Sequence, residues 1–155
     1  MIKHHLTKKL TIWFFTGMMY FVIEALWRFP KDGGYANVLM LIVGGVCGVT
    51  VGGLNQYKWF YNKPVMVQAF VGAWIILFVE FVFGCIFNIW LQLDLWDYST
   101  VPYNVLGQIC LTYGVFWFLL APFAIWVEDQ LRYAFWREDK PYTLRSIYLE
   151  LITLK

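Results

Sequence analysis

Four long apolar runs, separated by short polar stretches, constrain this chain more than any other feature of its sequence. They cover about residues 10–28, 38–54, 65–91 and 107–127. A helix needs roughly 20 apolar residues to cross the hydrocarbon core of a bilayer, since each residue adds about 1.5 Å. The runs lack the alternation of apolar and polar residues that a membrane β-strand shows. The pattern therefore predicts an all-α, polytopic membrane protein built as a four-transmembrane-helix bundle.

The composition indicates the same class of protein. Hydrophobic residues make up 61% of the chain and charged residues only 14%, whereas a soluble domain carries about 25% charged residues. A soluble core of this length could not bury so much apolar surface.

Lysine and arginine are distributed unevenly among the segments that join the runs. With the N-terminus placed in the cytoplasm, ten of the 12 lie on the cytoplasmic side, and only Arg28 and Lys31 lie outside. Cytoplasmic segments of membrane proteins carry the excess of positive charge. We therefore expect a multi-pass protein of the cell membrane with both N- and C-termini cytoplasmic. The net charge of +2 follows from this topology, so the expected partner is the lipid bilayer and no nucleic acid.

The segment after the fourth run has a different pattern, in which apolar residues recur on one helix face. These residues are Leu144, Ile147, Tyr148, Leu151 and Leu154. The spacing predicts a short C-terminal amphipathic helix, which would lie on the inner membrane surface or dock on a partner. We therefore divide the chain into a four-helix membrane domain at 1–135 and a cytoplasmic amphipathic tail at 136–155.

The second run carries glycine at every fourth position, at Gly44, Gly48 and Gly52. Such a ridge lets another helix approach closely. The approaching helix would belong to the same chain or to a second copy in a homodimer, and the spacing is compatible with both. In the third run, Gly72 and Gly84 permit similar close packing.

Polar residues inside and beside the runs gather toward the external end of the expected bundle. Glu24 and Arg28 are four residues apart, a spacing that suits an ion pair on a helix. Ionisable residues within a membrane are costly and mark functional sites. The candidate binding residues are Glu24, Arg28, Glu80, Asn88, Asp97, Asn104 and Gln108. They would form either a polar network that holds the helices in register or an outward-facing site for a cation or small polar solute.

Two spacings within the last two runs lead to further expectations. Asn104, Gln108 and Thr112 recur every fourth residue, which predicts one face of the fourth helix. Trp74 and Trp117 fall well inside their runs instead of at the ends. A buried indole N–H requires an acceptor, so both tryptophans are expected to face protein.

The chain lacks the motifs of common catalytic and metal sites. Its two histidines, His4 and His5, are adjacent in the N-terminal tail, and HExxH, GxxxxGK[ST] and GxSxG do not occur. The three cysteines fall within or just inside the runs, where packing is the expected role. We therefore predict no catalytic residues, no metal site and no cofactor, and we do not expect an enzyme.

The segment Trp96–Ser99 reads WDYS, and it is followed by Asn104, Gly107 and the run QICLTYGVFW that ends at Trp117. Together with the glycine-rich second run, this pattern resembles the CmpB-like family of ABC-transporter permeases over about residues 12–135. The resemblance implies an integral membrane transport component that works as a homo-oligomer or with a partner membrane subunit.

Two functional hypotheses follow. The first is a small permease-like component that binds a cation or small polar solute in the polar cluster. The alternative is a non-catalytic membrane scaffold, or partner-binding module, that assembles through its glycine-rich helix.

Overall fold

The computed structural model describes residues 2–153, apart from the side chains of residues 2–4, 31 and 32. Leu154 and Lys155, which belong to the expected tail, lie outside the described residues. The elements are α1 (Ile2–Asp32), α2 (Leu39–Gly52), a 3₁₀ turn (Gly53–Gln56), α3 (Lys58–Tyr61), α4 (Val65–Gly84) with a π-helical extension (Cys85–Trp90), β1 (Asn104–Val105), β2 (Ile109–Cys110), α5 (Leu111–Trp136) and α6 (Leu144–Thr153).

Four helices in the described part of the chain are long and apolar enough to cross a membrane. They span His5–Pro30, Leu39–Gln56, Val65–Trp90 and Leu111–Trp136. The prediction of an all-α, four-transmembrane-helix protein is confirmed. The cytoplasmic placement of the termini and the division at residue 135 stay predictions.

Helix α2 lies at the centre of the bundle and contacts α1, α4 and α5, while α4 packs along α5. The bundle has two ends. We call the end where α1 begins the N-terminal end, and the opposite end, which carries β1 and β2, the hairpin end.

The glycine ridge explains the close contact between α1 and α2. Gly44 lies against Tyr20, and Gly48 lies against Thr16, so that a Cβ at either glycine would overlap the α1 side chain. The ridge is therefore covered by a helix of the same chain. The homodimer seam through this ridge, which was the second possibility, is wrong because these positions leave no room for another copy.

Small residues also let α5 pack closely against α2 and α4. Gly52 lies against Glu128, and a Cβ built at Gly72 would come within 2.7 Å of the Ala121 side chain. Close approach of three helix backbones at these positions buries Val51, which has no exposed surface.

The prediction that Asn104 and Gln108 share a helix face with Thr112 is wrong. Residues 104–105 pair antiparallel with 109–110, so the fourth helix begins at Leu111 and not at residue 107. The turn between the strands requires positive φ at Leu106 (52°) and Gly107 (69°), which a helix excludes. At its other end, α5 continues past residue 127 to Trp136.

The C-terminal amphipathic helix is present as α6, and its apolar face packs on the chain's own bundle. Leu151 is buried in a cluster with Val65 and Ala69 of α4, and the hydroxyl of Tyr148 donates to the carbonyl of Leu119 at 2.7 Å. Part of this face is thus covered by the chain itself, while its placement at the inner membrane surface or on a partner stays a prediction.

Candidate functional site

The seven candidate residues of the sequence, which we call the hairpin-end cluster, separate into four groups. The first group ties α1 to the segment after α4. Arg28 Nε pairs with Glu24 Oε1 at 2.6 Å, as the spacing predicted, and its Nη2 donates to the carbonyl of Leu95 at 2.7 Å. This arginine therefore links two parts of the chain that are 67 residues apart.

The second group is an amide network that holds the segment after α4 against the hairpin. Asn88 accepts the Leu95 N–H at 2.7 Å and donates to the Trp96 carbonyl at 2.9 Å and to Gln108 Oε1 at 2.8 Å. The Trp96 indole N–H donates to the Gln108 carbonyl at 3.0 Å. Gln108 reaches this position because Gly84 has no side chain, and a Cβ there would meet Gln108 Oε1 at 2.6 Å.

The third group is a surface turn. Asp97 accepts hydrogen bonds from the backbone N–H of Ser99 at 2.7 Å and from its hydroxyl at 2.8 Å. These two bonds lower the pKa of the Asp97 carboxyl. Asn104 donates to the carbonyls of Ser99 and Val101 and accepts the Gly107 N–H at 3.0 Å. Asp97 and Asn104 thus shape the turn, and hydrogen bonds join neither of them to the other cluster residues.

The fourth group is Glu80 alone, deeper in the bundle. Its side chain is 4% exposed, and its Oε2 accepts the Trp117 indole N–H at 2.7 Å. The Trp117 ring packs against Tyr20 of α1 with 6.2 Å between centroids. Among the described residues, no cationic side chain pairs with Glu80, and its Oε1 makes no hydrogen bond.

The two inner tryptophans differ. Trp117 faces protein and finds an acceptor in Glu80, so the expectation for it is confirmed. The expectation for Trp74 is wrong, because this residue is 60% exposed in the single chain, where its ring lies beside Phe70 of the same helix. Spacing alone did not distinguish the two faces.

A second polar group at the N-terminal end was missed by sequence reasoning. We call it the N-terminal-end network, and its members are Lys8, Asn55, Glu128, Asp129, Arg132 and Glu138. Glu128 is 1% exposed and pairs with Arg132 Nε at 2.5 Å. The i,i+4 spacing of these two residues was the available signal.

The network continues from helix α5 to α1 and to the turn after α2. Glu138 contacts both Lys8 and Arg132, while Asn55 Nδ2 donates to Asp129 Oδ2 at 2.8 Å. Burial acts to raise the pKa of Glu138, but the hydrogen bonds and charges of Lys8 and Arg132 outweigh it and hold the pKa below its ordinary value. Glu138 is therefore ionised and links both ends of the chain.

Metal-binding clusters are not found in the part of the chain that the structure describes, where no three His, Cys, Asp or Glu side chains converge. Cys47, Cys85 and Cys110 are free thiols. The polar groups that remain are carboxylates, amides and indoles, whose chemistry is hydrogen bonding and cation binding.

One family comparison matches almost the whole chain. The family described as "Putative ABC-transporter type IV" (CmpB) matches residues 11–154. The chain belongs to this family. No curated protein and no solved structure matches the chain.

Membership of the ABC-transporter type IV family confirms the resemblance read from the WDYS segment and its flanks. Four apolar helices and this family together indicate a transport-related, multi-pass protein of a lipid bilayer. The family match covers all the residues of the hairpin-end cluster.

Proposed function

We propose that this family member is a permease-like transport component that binds a cation or small polar solute at Glu80, and that it performs no enzymatic chemistry. One observation carries the proposal. Glu80 is a carboxylate within a membrane-spanning helix that is 4% exposed and has an indole N–H as its hydrogen-bond partner, with no cationic side chain beside it among the described residues. A carboxylate is costly at such a position and is retained for function.

The contrast with two other acidic residues of the spans supports this assignment. Glu24 and Glu128 each pair with an arginine four residues away, which suits a structural role. Glu80 Oε1 makes no hydrogen bond, yet it is not among the fully enclosed unpartnered atoms. An acceptor of this kind can receive a proton, a cation or a donor group of a solute.

The other cluster residues have structural partners of their own. Asn88, Trp96 and Gln108 bond to one another, so they hold the hairpin in place and leave Glu80 as the binding group. The cluster thus combines the two interpretations of the sequence, with paired residues as scaffold and one carboxylate as the site.

A scaffold without transport is the second candidate function. It is favoured by the complete pairing of the Asn88–Gln108 network. Assembly in that case would use a surface other than the glycine ridge, because α1 covers Gly44 and Gly48.

We further propose that the protein works in the cell membrane as an oligomer or with a partner membrane subunit, because four helices leave little space for a pore. The uneven distribution of lysine and arginine supports cytoplasmic termini. Labelling of single cysteines at Ser99 and Asp139 with an impermeant maleimide tests the orientation. Only S99C should react from outside intact cells.

The test of Glu80 uses Trp117 as the reporter, since its indole bonds the carboxylate. Protein carrying 5-fluorotryptophan is titrated with Na⁺, K⁺ and ammonium while ¹⁹F NMR follows the Trp117 resonance, which Trp117→Phe assigns. We expect one of these cations to shift the resonance saturably, and we expect Glu80→Gln to abolish the shift. Glu150→Gln at the opposite end is the matched control and should respond as wild type. Cation binding at Glu80 is overturned if none of the cations shifts the resonance or if E80Q responds like the control.

A further inference from the structure

A cavity of about 490 Å³ opens at the N-terminal end of the bundle, away from Glu80. It lies between the turn after α2, the first turns of α4, the middle of α5 and helix α6. Its volume falls in the range of small-molecule sites, which is about 300–1,000 Å³. The function proposed for Glu80 does not involve this cavity. A proposal for the cavity can therefore be tested independently of the proposal for Glu80.

The walls of the cavity are held in place by hydrogen bonds. Gln68 Nε2 donates to the carbonyls of Tyr61 and Lys63 at 3.2 and 2.8 Å, which fixes the loop before α4. The Trp126 indole N–H donates to the Tyr142 carbonyl at 3.0 Å, which fixes the segment before α6. These bonds fix two of the segments that line the cavity.

Three oxygen atoms on residues that line the cavity make no hydrogen bond among the described residues. Asn55 must donate its amide to Asp129 Oδ2, so its own Oδ1 is left without a partner among the described residues. The second oxygen of Asp129 likewise makes no hydrogen bond within the described part of the chain. Gln68 uses its Nε2 on backbone carbonyls and leaves its Oε1 as an acceptor. The free oxygens of Asp129 and Gln68 therefore favour an occupant that carries hydrogen-bond donors.

The charge of the lining is acidic. Asp129 and Glu150 both line the cavity, against one basic residue, Lys63, and Lys63 is exposed to solvent. Glu150 is only weakly engaged, by the Val65 N–H at 3.4 Å. Anions are disfavoured at such a site, and a cation with several N–H donors fits it.

The remaining lining is apolar or aromatic. Val65 and Ile125 are 8% and 4% exposed and form part of the wall. Tyr61 and Tyr142 stack with 6.2 Å between centroids and 20° between planes, and aromatic faces of this kind attract cations. The occupant should therefore have an apolar body next to its charged group.

We propose that this cavity binds a small organic cation, a primary amine or guanidinium carried on a short apolar body. The charged group pairs with Asp129, a second donor bonds the amide oxygen of Gln68, and the body lies between Ile125 and the tyrosine pair. The site is separate from the hairpin-end cluster and lies at the opposite end of the bundle.

Radiolabelled phenethylamine is the probe, and the full-length protein in nanodiscs is the sample, with empty nanodiscs subtracted. We expect saturable binding with one site per chain. Asp129→Asn, which keeps the hydrogen bond with Asn55, should weaken binding by about tenfold or more, because a charge-assisted bond is lost. Ser146→Trp, which fills the cavity from α6, should abolish binding.

Three comparisons make the result specific. Asp139→Asn makes the same chemical change at an exposed position outside the cavity and should bind as wild type. Glu80→Gln should also bind as wild type, which separates this site from the proposed transport site. The uncharged analogue 2-phenylethanol should fail to compete.

The proposal is overturned if no saturable binding is found up to about 10 mM, which corresponds to a negligible affinity. It is equally overturned if D129N protein with a wild-type elution profile binds normally, or if 2-phenylethanol competes as well as the amine, since either result would indicate an apolar lipid site. If D129N does not fold, the test rests on S146W, and phenethylamine binding to S146W at the wild-type level contradicts the proposal.

Discussion

Trp117 on α5 and Glu80 on α4 are joined across the bundle interior by a hydrogen bond of 2.7 Å from the indole N–H to Oε2. The two residues are 37 positions apart in sequence, and Glu80 is 4% exposed. The bond satisfies an indole donor that would otherwise lack an acceptor. It also fixes one oxygen of Glu80, while the other makes no hydrogen bond among the described residues.

Removal of the indole N–H should destabilise the protein. In Trp117→Phe the aromatic packing on Tyr20 is retained, while Glu80 loses its donor in a place with little access to water. A buried polar group left without its partner costs about 1–3 kcal/mol. Unfolding by a titration with sodium dodecyl sulfate in mixed micelles, followed by circular dichroism, measures this loss.

Trp74→Phe is the control for that substitution. Trp74 lies on the same helix as Glu80 but is 60% exposed, so the change should stay within about 0.5 kcal/mol. If both variants lose the same free energy of unfolding, the loss comes from the smaller ring, and the hydrogen bond to Glu80 does not contribute.

Much of this fold is readable from local sequence. The number of spans follows from run length, because the cost of an unpaired backbone in lipid forces each run into a helix. The ion pair of Glu24 with Arg28 follows from helix spacing, and so does the small-residue contact at Gly48. Each of these signals is a pattern within one helix, although the helix that covers Gly48 was identified only by the structure.

The features that were mispredicted or missed depend on contacts between distant residues. Asn104 and Gln108 have helical spacing, yet their backbone turns at Leu106 with a positive φ, which the amide bonds of Asn88 stabilise from another segment. Lys8 and Glu138 meet across 130 positions of sequence. The periodicity of a sequence predicts the faces of single helices and does not predict contacts between residues this far apart.

The contact between α1 and α2 leads to a prediction for Gly48. A Cβ at this position overlaps the side chain of Thr16, and overpacking of this kind costs about 1–3 kcal/mol. Gly48→Ala should therefore lower the free energy of unfolding without changing the oligomeric state. Detergent unfolding together with light scattering measures both quantities.

Gly53→Ala is the matched control for Gly48→Ala. Nothing lies within 4 Å of a Cβ at Gly53, and its φ of −60° suits alanine, so the substitution should be neutral or slightly stabilising. A change of oligomeric state in G48A with unchanged stability would contradict the intrachain role of the ridge.

Asn88 should determine the order of the segment that follows α4. Its side chain makes three hydrogen bonds, to Leu95, Trp96 and Gln108, so Asn88→Ala leaves three groups unpaired and should cost about 2–4 kcal/mol. The Leu95 amide should lose its protection in hydrogen exchange. Asn62→Ala, at an exposed position of the other end, should leave this amide protected, and protection retained in N88A would exclude the assigned role.

The turn at Asp97 should respond to acid. The Ser99 N–H and hydroxyl lower the pKa of Asp97 from its ordinary value of 3.8. A lowered pKa means that the ionised form stabilises the turn, so this contribution is present above pH 3.8 and is lost as the pH falls through the lower, folded value. The protection factor of the Ser99 amide should stay constant from about pH 7 to about pH 5 and then decrease below the ordinary pKa. Asp97→Asn should remove this pH dependence, and an identical profile in both proteins would refute it.

Among the substitutions proposed here, loss of the ion pair between Arg132 and Glu128 should lower the free energy of unfolding most. Glu128 is 1% exposed, and loss of one partner of a buried pair costs about 3–5 kcal/mol because the other charge stays uncompensated. Arg132→Gln should show this loss in detergent unfolding, whereas Arg137→Gln, at an exposed position, should change stability by about 0.5 kcal/mol or less. The double variant E128Q/R132Q should recover part of the loss, because the buried charge is then gone. If the double variant is as unstable as R132Q, the arginine contributes through its packing and not through its charge.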